Sequence, residues 1–104
     1  MQKQTVSFDD VLLTPQYSDI KSRSEVSISS KLGYRIYSLP IISSPMDTVT
    51  GTAMSWAMGS AGGLGIVHRY CSIQQQVKMT APNSAAAIGV TGDFLERAQA
   101  LYDS

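Results

Sequence analysis

At 104 residues, with 8 basic and 8 acidic side chains and a formal net charge of zero, the chain has room for one domain with a modest core, and neither sign is gathered into a run that would recruit nucleic acid or an anionic membrane. No apolar stretch approaches the ~20 residues of a membrane span, and Met1-Gln2-Lys3-Gln4 does not lead into a signal-peptide core, so a soluble cytoplasmic protein is expected. The single cysteine, Cys71, excludes an internal disulfide and a CxxC metal site, and one histidine leaves little from which to build a zinc site.

The first element is a short turn. Phe8, Val11 and Leu12 share one face of a helical turn begun at Ser7, which Thr14-Pro15 ends, and an extended arm follows. From Lys21 to Tyr37 the pattern changes to period two. Val26 and Ile28 alternate with serines, and Tyr34 and Ile36 alternate with Arg35 and Tyr37 across Leu32-Gly33, which predicts a hairpin covering one end of a larger body.

Leu39, Ile41 and Ile42 then make a short apolar run that suits a strand buried on both faces, as in a parallel sheet. Pro45 has no N–H for a ladder and disfavours a helical Ser44, so the strand should end near Ser43. The loop after a strand's carboxyl end is where α/β proteins bind ligands, which makes Ser43, Ser44 and Met46 the first candidate site residues.

Ala53, Met54, Ala57, Met58 and Ala61 fall at helical spacing, with Thr48 or Thr50 as the N-cap and Gly62 to end the helix; Trp56 lies off that stripe. A second strand, Gly63 to Val67, runs into His68-Arg69-Tyr70. Ser72 and Gln75 form a capping box for a second helix whose Ile73 and Val77 point inward, and Pro82-Asn83 breaks it. A third strand, Ala85 to Val90, leads to Asp93, which with Glu96 predicts another capping box. Leu95, Ala98, Leu101 and Tyr102 form the stripe of a third helix.

Residues 39-104 thus read as three strand–helix units, preceded by an arm and hairpin over residues 1-38. Such alternation implies a parallel sheet with right-handed crossovers. Three strands cannot close a barrel, since closure takes about eight, and an apolar open edge is a liability, so the expected fold class is α/β: the amino-terminal portion of a (β/α)8 TIM barrel.

Each sharper reading has a plainer one beside it. Gly59, Gly62, Gly63 and Gly65 never meet the G-x-G-x-x-G spacing and precede a strand instead of following one, so they read as helix termination and close packing. Cys71 has no base near it in sequence except His68 and reads as a small buried hydrophobe. His68 sits at a strand's carboxyl end, as a catalytic or binding residue would, and equally as a hydrogen-bonded structural histidine would. Ser43 and Ser44 suit either a ligand or the turn.

Ser7-Phe8-Asp9-Asp10-Val11-Leu12-Leu13 with Pro15 and Tyr17-Ser18, then Pro40 to Thr50, then Gly62 to Arg69 and Ser72-Ile73-Gln74-Gln75-Gln76, together resemble the amino-terminal part of the IMP dehydrogenase and GMP reductase family, from about Val6 onward. The resemblance implies a (β/α)8 barrel, commonly a homotetramer, that oxidises or reduces purine nucleotides at the 2-position with a nicotinamide cofactor. It implies that Ser44 lies near the 5′-phosphate and Met46 beside the base, with Ser43, His68 and Arg69 as secondary candidates for the same substrate site. It assigns no cofactor-binding residue here. The potassium ion expected from the family has its ligands elsewhere, and the catalytic cysteine belongs to a Gly-x-Gly-Ser-x-Cys loop that this segment lacks. No catalytic residue is therefore assigned, and the segment is expected to be inactive alone.

Between the branches, the Ser-Ser-Pro-Met-Asp-Thr-Val-Thr loop and the second strand resemble IMP dehydrogenase, which turns IMP, NAD and water into XMP and NADH in guanine nucleotide biosynthesis. Lys21 to Val26 looks more like GMP reductase, which turns GMP into IMP with NADPH. One reductase branch carries a lysine directly after the second-strand histidine, where Arg69 stands here, and the dehydrogenase is favoured. The direct passage from Thr80-Ala81-Pro82 to the third strand resembles a short form without CBS modules. A non-catalytic nucleotide-binding remnant is the alternative of a different class.

Overall fold

The computed structural model describes residues 3–104, and in it strand and helix alternate in the order the sequence predicts. At the start, Phe8–Asp10 is a single 3₁₀ turn. The Asp10 carboxylate accepts from the Ser7 main-chain N–H and from the Ser7 hydroxyl, both at 3.1 Å. These bonds, the backbone one foremost, hold the Asp10 carboxyl below the usual carboxylate range. The turn and the arm beyond it leave Phe8, Leu12, Leu13 and Tyr17 almost fully exposed.

The hairpin is shorter than the alternation predicts. It consists of β1 (Ser30–Leu32) and antiparallel β2 (Arg35–Tyr37), joined through Gly33-Tyr34, with Gly33 at a φ of 61° in the first central position of a two-residue turn. Val26 and Ile28 lie outside it. Serine side chains take the local N–H groups there: Ser24 N–H donates to Ser22 Oγ at 3.3 Å, opening a 3₁₀ turn over Arg23–Glu25, and Ser29 N–H donates to Ser27 Oγ at 3.4 Å. Arg35 Nη1 donates to the Asn83 carbonyl at 3.0 Å, which pins the hairpin to the loop entering the last strand.

The main sheet contains β3 (Ile42–Ser43), β4 (Leu64–Val67) and β5 (Ala85–Ala86), parallel and in that order. Its register sets Ile42 beside Leu64, Ser43 beside Gly65, Ile66 beside Ala85 and Val67 beside Ala86. The outer strands are shorter than expected. Around Pro40 the Ile41 N–H turns back to the Leu39 carbonyl at 2.8 Å, so regular pairing starts only at Ile42. Just past β5 the Ala87 carbonyl is claimed by the Gln76 side chain at 2.7 Å. The expected burial of β3 on both faces is also corrected. As an edge strand among the described residues, it leaves Ile41 and Ile42 about half exposed.

Helix α1 (Thr52–Ala61) is capped by Gly51, not by Thr48 or Thr50, and ends at Gly62 in the left-handed region, φ 90°. Gly63 N–H reaches the Met58 carbonyl at 2.9 Å and Gly62 N–H the Gly59 carbonyl at 3.2 Å, the paired bonds of a Schellman end. The face turned to the sheet is Gly51, Ser55, Met58 and Gly62, with Ser55 fully buried; Ala53, Met54, Ala57 and Ala61 are exposed. The cause is the closeness of the crossing. A Cβ built on Gly65 would stand 3.1 Å from Ser55 Cα, so a glycine and a serine meet where larger side chains could not.

Helix α2 (Ile73–Met79) carries the predicted capping box, Gln75 N–H to Ser72 Oγ at 3.1 Å and Ser72 N–H to Gln75 Oε1 at 3.0 Å. Ile73 and Val77 are half-buried, and Gln76 is the fully buried residue. Helix α3 (Phe94–Asp103) lacks the box expected of Asp93 and Glu96, because the Asp93 carboxylate is taken by Arg97 at 3.0 Å. It turns Phe94, Arg97, Ala98 and Leu101 inward and leaves Leu95 and Tyr102 exposed.

The buried apolar core is small: Leu64, Val67 and Ala81, of which Val67 alone is fully enclosed. Thr50, Ser55, His68, Gln76 and Arg97 are buried beside it, and among the described residues no buried side-chain nitrogen or oxygen lacks a partner. The radius of gyration is 18.1 Å, against about 13 Å for a compact chain of this length, which reflects the projecting arm and hairpin.

Candidate functional site

The carboxyl ends of β3 and β4 carry the five candidate residues, and Thr50 joins the two ends. Its side chain is completely buried. Thr50 Oγ1 donates to the Ser44 carbonyl at 2.6 Å and lies 2.9 Å from Ser43 Oγ, while the Thr50 carbonyl accepts from the His68 N–H at 3.3 Å. The Ser44 carbonyl also takes the Met46 N–H at 2.8 Å across Pro45, so both of its lone pairs are used. The Met46 carbonyl in turn accepts the N–H groups of Val49 and Thr50 at 3.0 Å. The short Ser43-Ser44-Pro45 loop is thereby held by its main chain, with the Ser44 side chain and half of Met46 left exposed.

Ser43 is half-buried and engaged with Thr50, which suits a structural partner more than a free ligand contact. His68 is buried, and its Nδ1 accepts the Tyr70 N–H at 3.2 Å. That bond fixes the neutral imidazole as the tautomer with its proton on Nε2. Arg69 is exposed; its guanidinium carbon lies 5.1 Å from the centre of the Tyr70 ring, and a Cβ on Gly89 would be 3.5 Å from Nη1. Arg69 thus bridges the loops that follow β4 and β5. Cys71 is half-buried, with Sγ 3.9 Å from the His68 carbonyl.

The glycines around β4 do not form a phosphate cradle. A Cβ on Gly63 would come within 2.7 Å of Met58 Cε and 2.8 Å of the Ile41 carbonyl oxygen, and Gly65 is filled by Ser55. The space is occupied by the chain itself, so a dinucleotide pyrophosphate does not fit there. Among the described residues no group of three or more His, Cys, Asp or Glu side chains is placed to hold a metal ion. A cavity of about 650 Å³ opens at the opposite end of the sheet, between the hairpin, the end of α1 and the loop into β5, where Arg35, Trp56 and Pro82 meet.

A family model described as the IMP dehydrogenase / GMP reductase domain matches residues 5–104. The chain belongs to this family. Over 75 residues it is 51% identical to an inosine-5′-monophosphate dehydrogenase of Nitrosopumilus maritimus, a match covering 71% of this chain and 16% of that protein. Over the same length it is 44% identical to a GMP reductase of Leishmania donovani, covering 71% of this chain and 15% of that protein. The solved inosine 5′-monophosphate dehydrogenase of Legionella pneumophila superposes with a TM-score of 0.86 at 37% identity, covering 96% of this chain and 32% of that one. The three strand–helix units are the amino-terminal portion of a (β/α)8 barrel. The chain spans about a sixth of the length of these two curated relatives.

Three buried polar residues near the site, Thr50, Gln76 and Arg97, have little signal in the sequence. Thr50 reads in the sequence only as a possible helix cap, and the structure gives that place to Gly51. Gln76 and Arg97 carry no signal, since a polar residue on an amphipathic helix is ordinarily on its solvent face.

Proposed function

We propose that the complete protein bearing this segment is an oxidoreductase of purine nucleoside monophosphates, an IMP dehydrogenase that oxidises IMP at the 2-position with NAD and water. The observation that carries the reading is the Thr50-clamped loop. Family membership supports a nucleotide substrate, and this loop offers an exposed serine hydroxyl and a half-exposed methionine at the carboxyl end of a barrel strand, on a backbone already fixed by hydrogen bonds. In this reading Ser44 donates to the 5′-phosphate, Met46 packs on the purine, and Arg69 adds positive charge at the same mouth. Ser43 and His68 hold the loops, through Thr50 and the Tyr70 N–H respectively.

The nicotinamide cofactor would supply the hydride acceptor. The glycines of this segment do not fit its pyrophosphate, and no step is assigned to it through these residues. The potassium ion expected with a dehydrogenase likewise has no ligand assigned here. The reductase reading, with GMP and NADPH, is supported by the Leishmania relative; the identities of 51% and 44% favour the dehydrogenase. Cytoplasmic location and a homotetramer belong to the same proposal.

The test is a paired assay of the complete protein. NADH and XMP should appear with IMP and NAD, and no NADPH should be consumed with GMP. Consumption of NADPH with GMP would establish the reductase instead, and tight IMP binding without turnover the non-catalytic alternative.

A further inference from the structure

Arg97 is the one arginine of the described residues that is buried, and its guanidinium meets three acceptors on three parts of the chain. Nη1 donates to Gln76 Oε1 at 3.0 Å, and Nη2 donates to the Cys71 carbonyl at 2.9 Å and to Asp93 Oδ2 at 3.0 Å. Gln76, itself fully buried, passes the chain on: its Nε2 donates to the Ala87 carbonyl at 2.7 Å. The two main-chain carbonyls held by this cluster have related places. Cys71 follows the exposed Arg69 by two residues, and Ala87 precedes by two the Gly89 against which the Arg69 guanidinium lies. A buried cation is a poor device for packing alone, since apolar side chains of similar volume do as well or better. A planar fork that must satisfy separate acceptors is a reason to keep an arginine.

We propose that Arg97 is a positioning residue, which through the Cys71 carbonyl and the Gln76–Ala87 bond fixes the loops after β4 and β5 so that Arg69 stands at the mouth in one place. The inference rests on the reading of that mouth as a nucleotide monophosphate site. It separates the mouth into two supports: Thr50 beneath Ser44 and Met46, and Arg97 with Gln76 beneath Arg69.

A double-mutant cycle on the complete protein tests it, with IMP as the probe and affinity measured by calorimetry. Arg69→Ala is expected to weaken IMP by about tenfold, the order of a charge-assisted contact. Arg97→Met is expected to weaken it by up to the same factor when Arg69 is present, and by less than about twofold in the Arg69→Ala background. Equal losses in both backgrounds would show a general structural effect and overturn the proposal, as would unchanged binding in either single variant. Arg97→Lys keeps the charge beside Asp93 and loses the fork; it is the variant to read if Arg97→Met does not fold, with the same expectation. Failure of wild-type protein to bind IMP would refute the nucleotide reading, and alkylation of Cys71 by iodoacetamide then decides on Arg97. Faster alkylation in Arg97→Lys at unchanged far-ultraviolet dichroism supports loop fixation, and an unchanged rate overturns it.

Discussion

Thr50 Oγ1 donates to the Ser44 carbonyl at 2.6 Å from a side chain with no exposed surface. One hydroxyl thus sets the backbone of the loop that offers Ser44 and Met46 to the barrel mouth. Thr50→Val keeps the shape and deletes the hydroxyl, leaving the Ser44 carbonyl with one partner and Ser43 with none from this side. The expected loss of stability is about 1–3 kcal/mol, read as a lowered denaturation midpoint of the complete protein, and Thr50→Ser should recover most of it. A loss in Thr50→Ser with none in Thr50→Val would mean that the methyl packing, not the hydroxyl, matters.

The contact between Gly65 and Ser55 predicts a contrast between glycines. Gly65→Ala would force a methyl to 3.1 Å from Ser55 Cα, a backbone atom that cannot rotate away, and should cost about 1–3 kcal/mol by overpacking. Gly59, on the exposed face of α1, has nothing within 4 Å of a built Cβ. Gly59→Ala should therefore stabilise by up to about 1 kcal/mol through helix propensity. Thermal melts of the two variants should move in opposite directions, and a shared direction would contradict the described crossing.

Cys71 makes only a weak thiol contact with the His68 carbonyl, and its main chain is held by Arg97. It is therefore expected to be structural. Cys71→Ala in the complete protein should leave turnover within about tenfold of wild type, since loss of a covalent nucleophile removes several orders of magnitude. A loss of ~10³ or more would identify Cys71 as the nucleophile.

Much of the architecture was legible because it rests on local chemistry. Pro45, Gly62 and the Ser72–Gln75 box each act within a few residues, and the strand–helix order follows from them. Helix faces were less legible. On α1 the apolar stripe of Ala53, Met54 and Ala57 pointed away from the sheet, because the inward face was chosen by the fit of Ser55 on Gly65, a contact between residues ten apart. On α3, Arg97 is inward because its acceptors lie on α2 and the preceding loop, which no periodicity announces. Ser43, Ser44, Met46 and His68 were candidates from their places at strand ends alone, and Arg69 came only with the family resemblance. The hydrogen bonds of Thr50 to the first loop, and those of the Gln76–Arg97 cluster to the Cys71 and Ala87 carbonyls, are tertiary and have no local signal.

The most direct test concerns the hydroxyl of Ser44. In the complete protein, affinities for IMP and for inosine should be measured side by side in wild type and Ser44→Ala. A hydroxyl donating to phosphate is a charge-assisted bond worth roughly 1.5 to 3 kcal/mol, or about ten- to a hundredfold in affinity. IMP should weaken by that factor, inosine should be nearly unchanged because it has no phosphate to lose, and the ligand-free melting temperature should move little. Equal weakening of IMP and inosine, or a large fall in ligand-free stability, would show that Ser44 serves the turn and that the phosphate binds elsewhere.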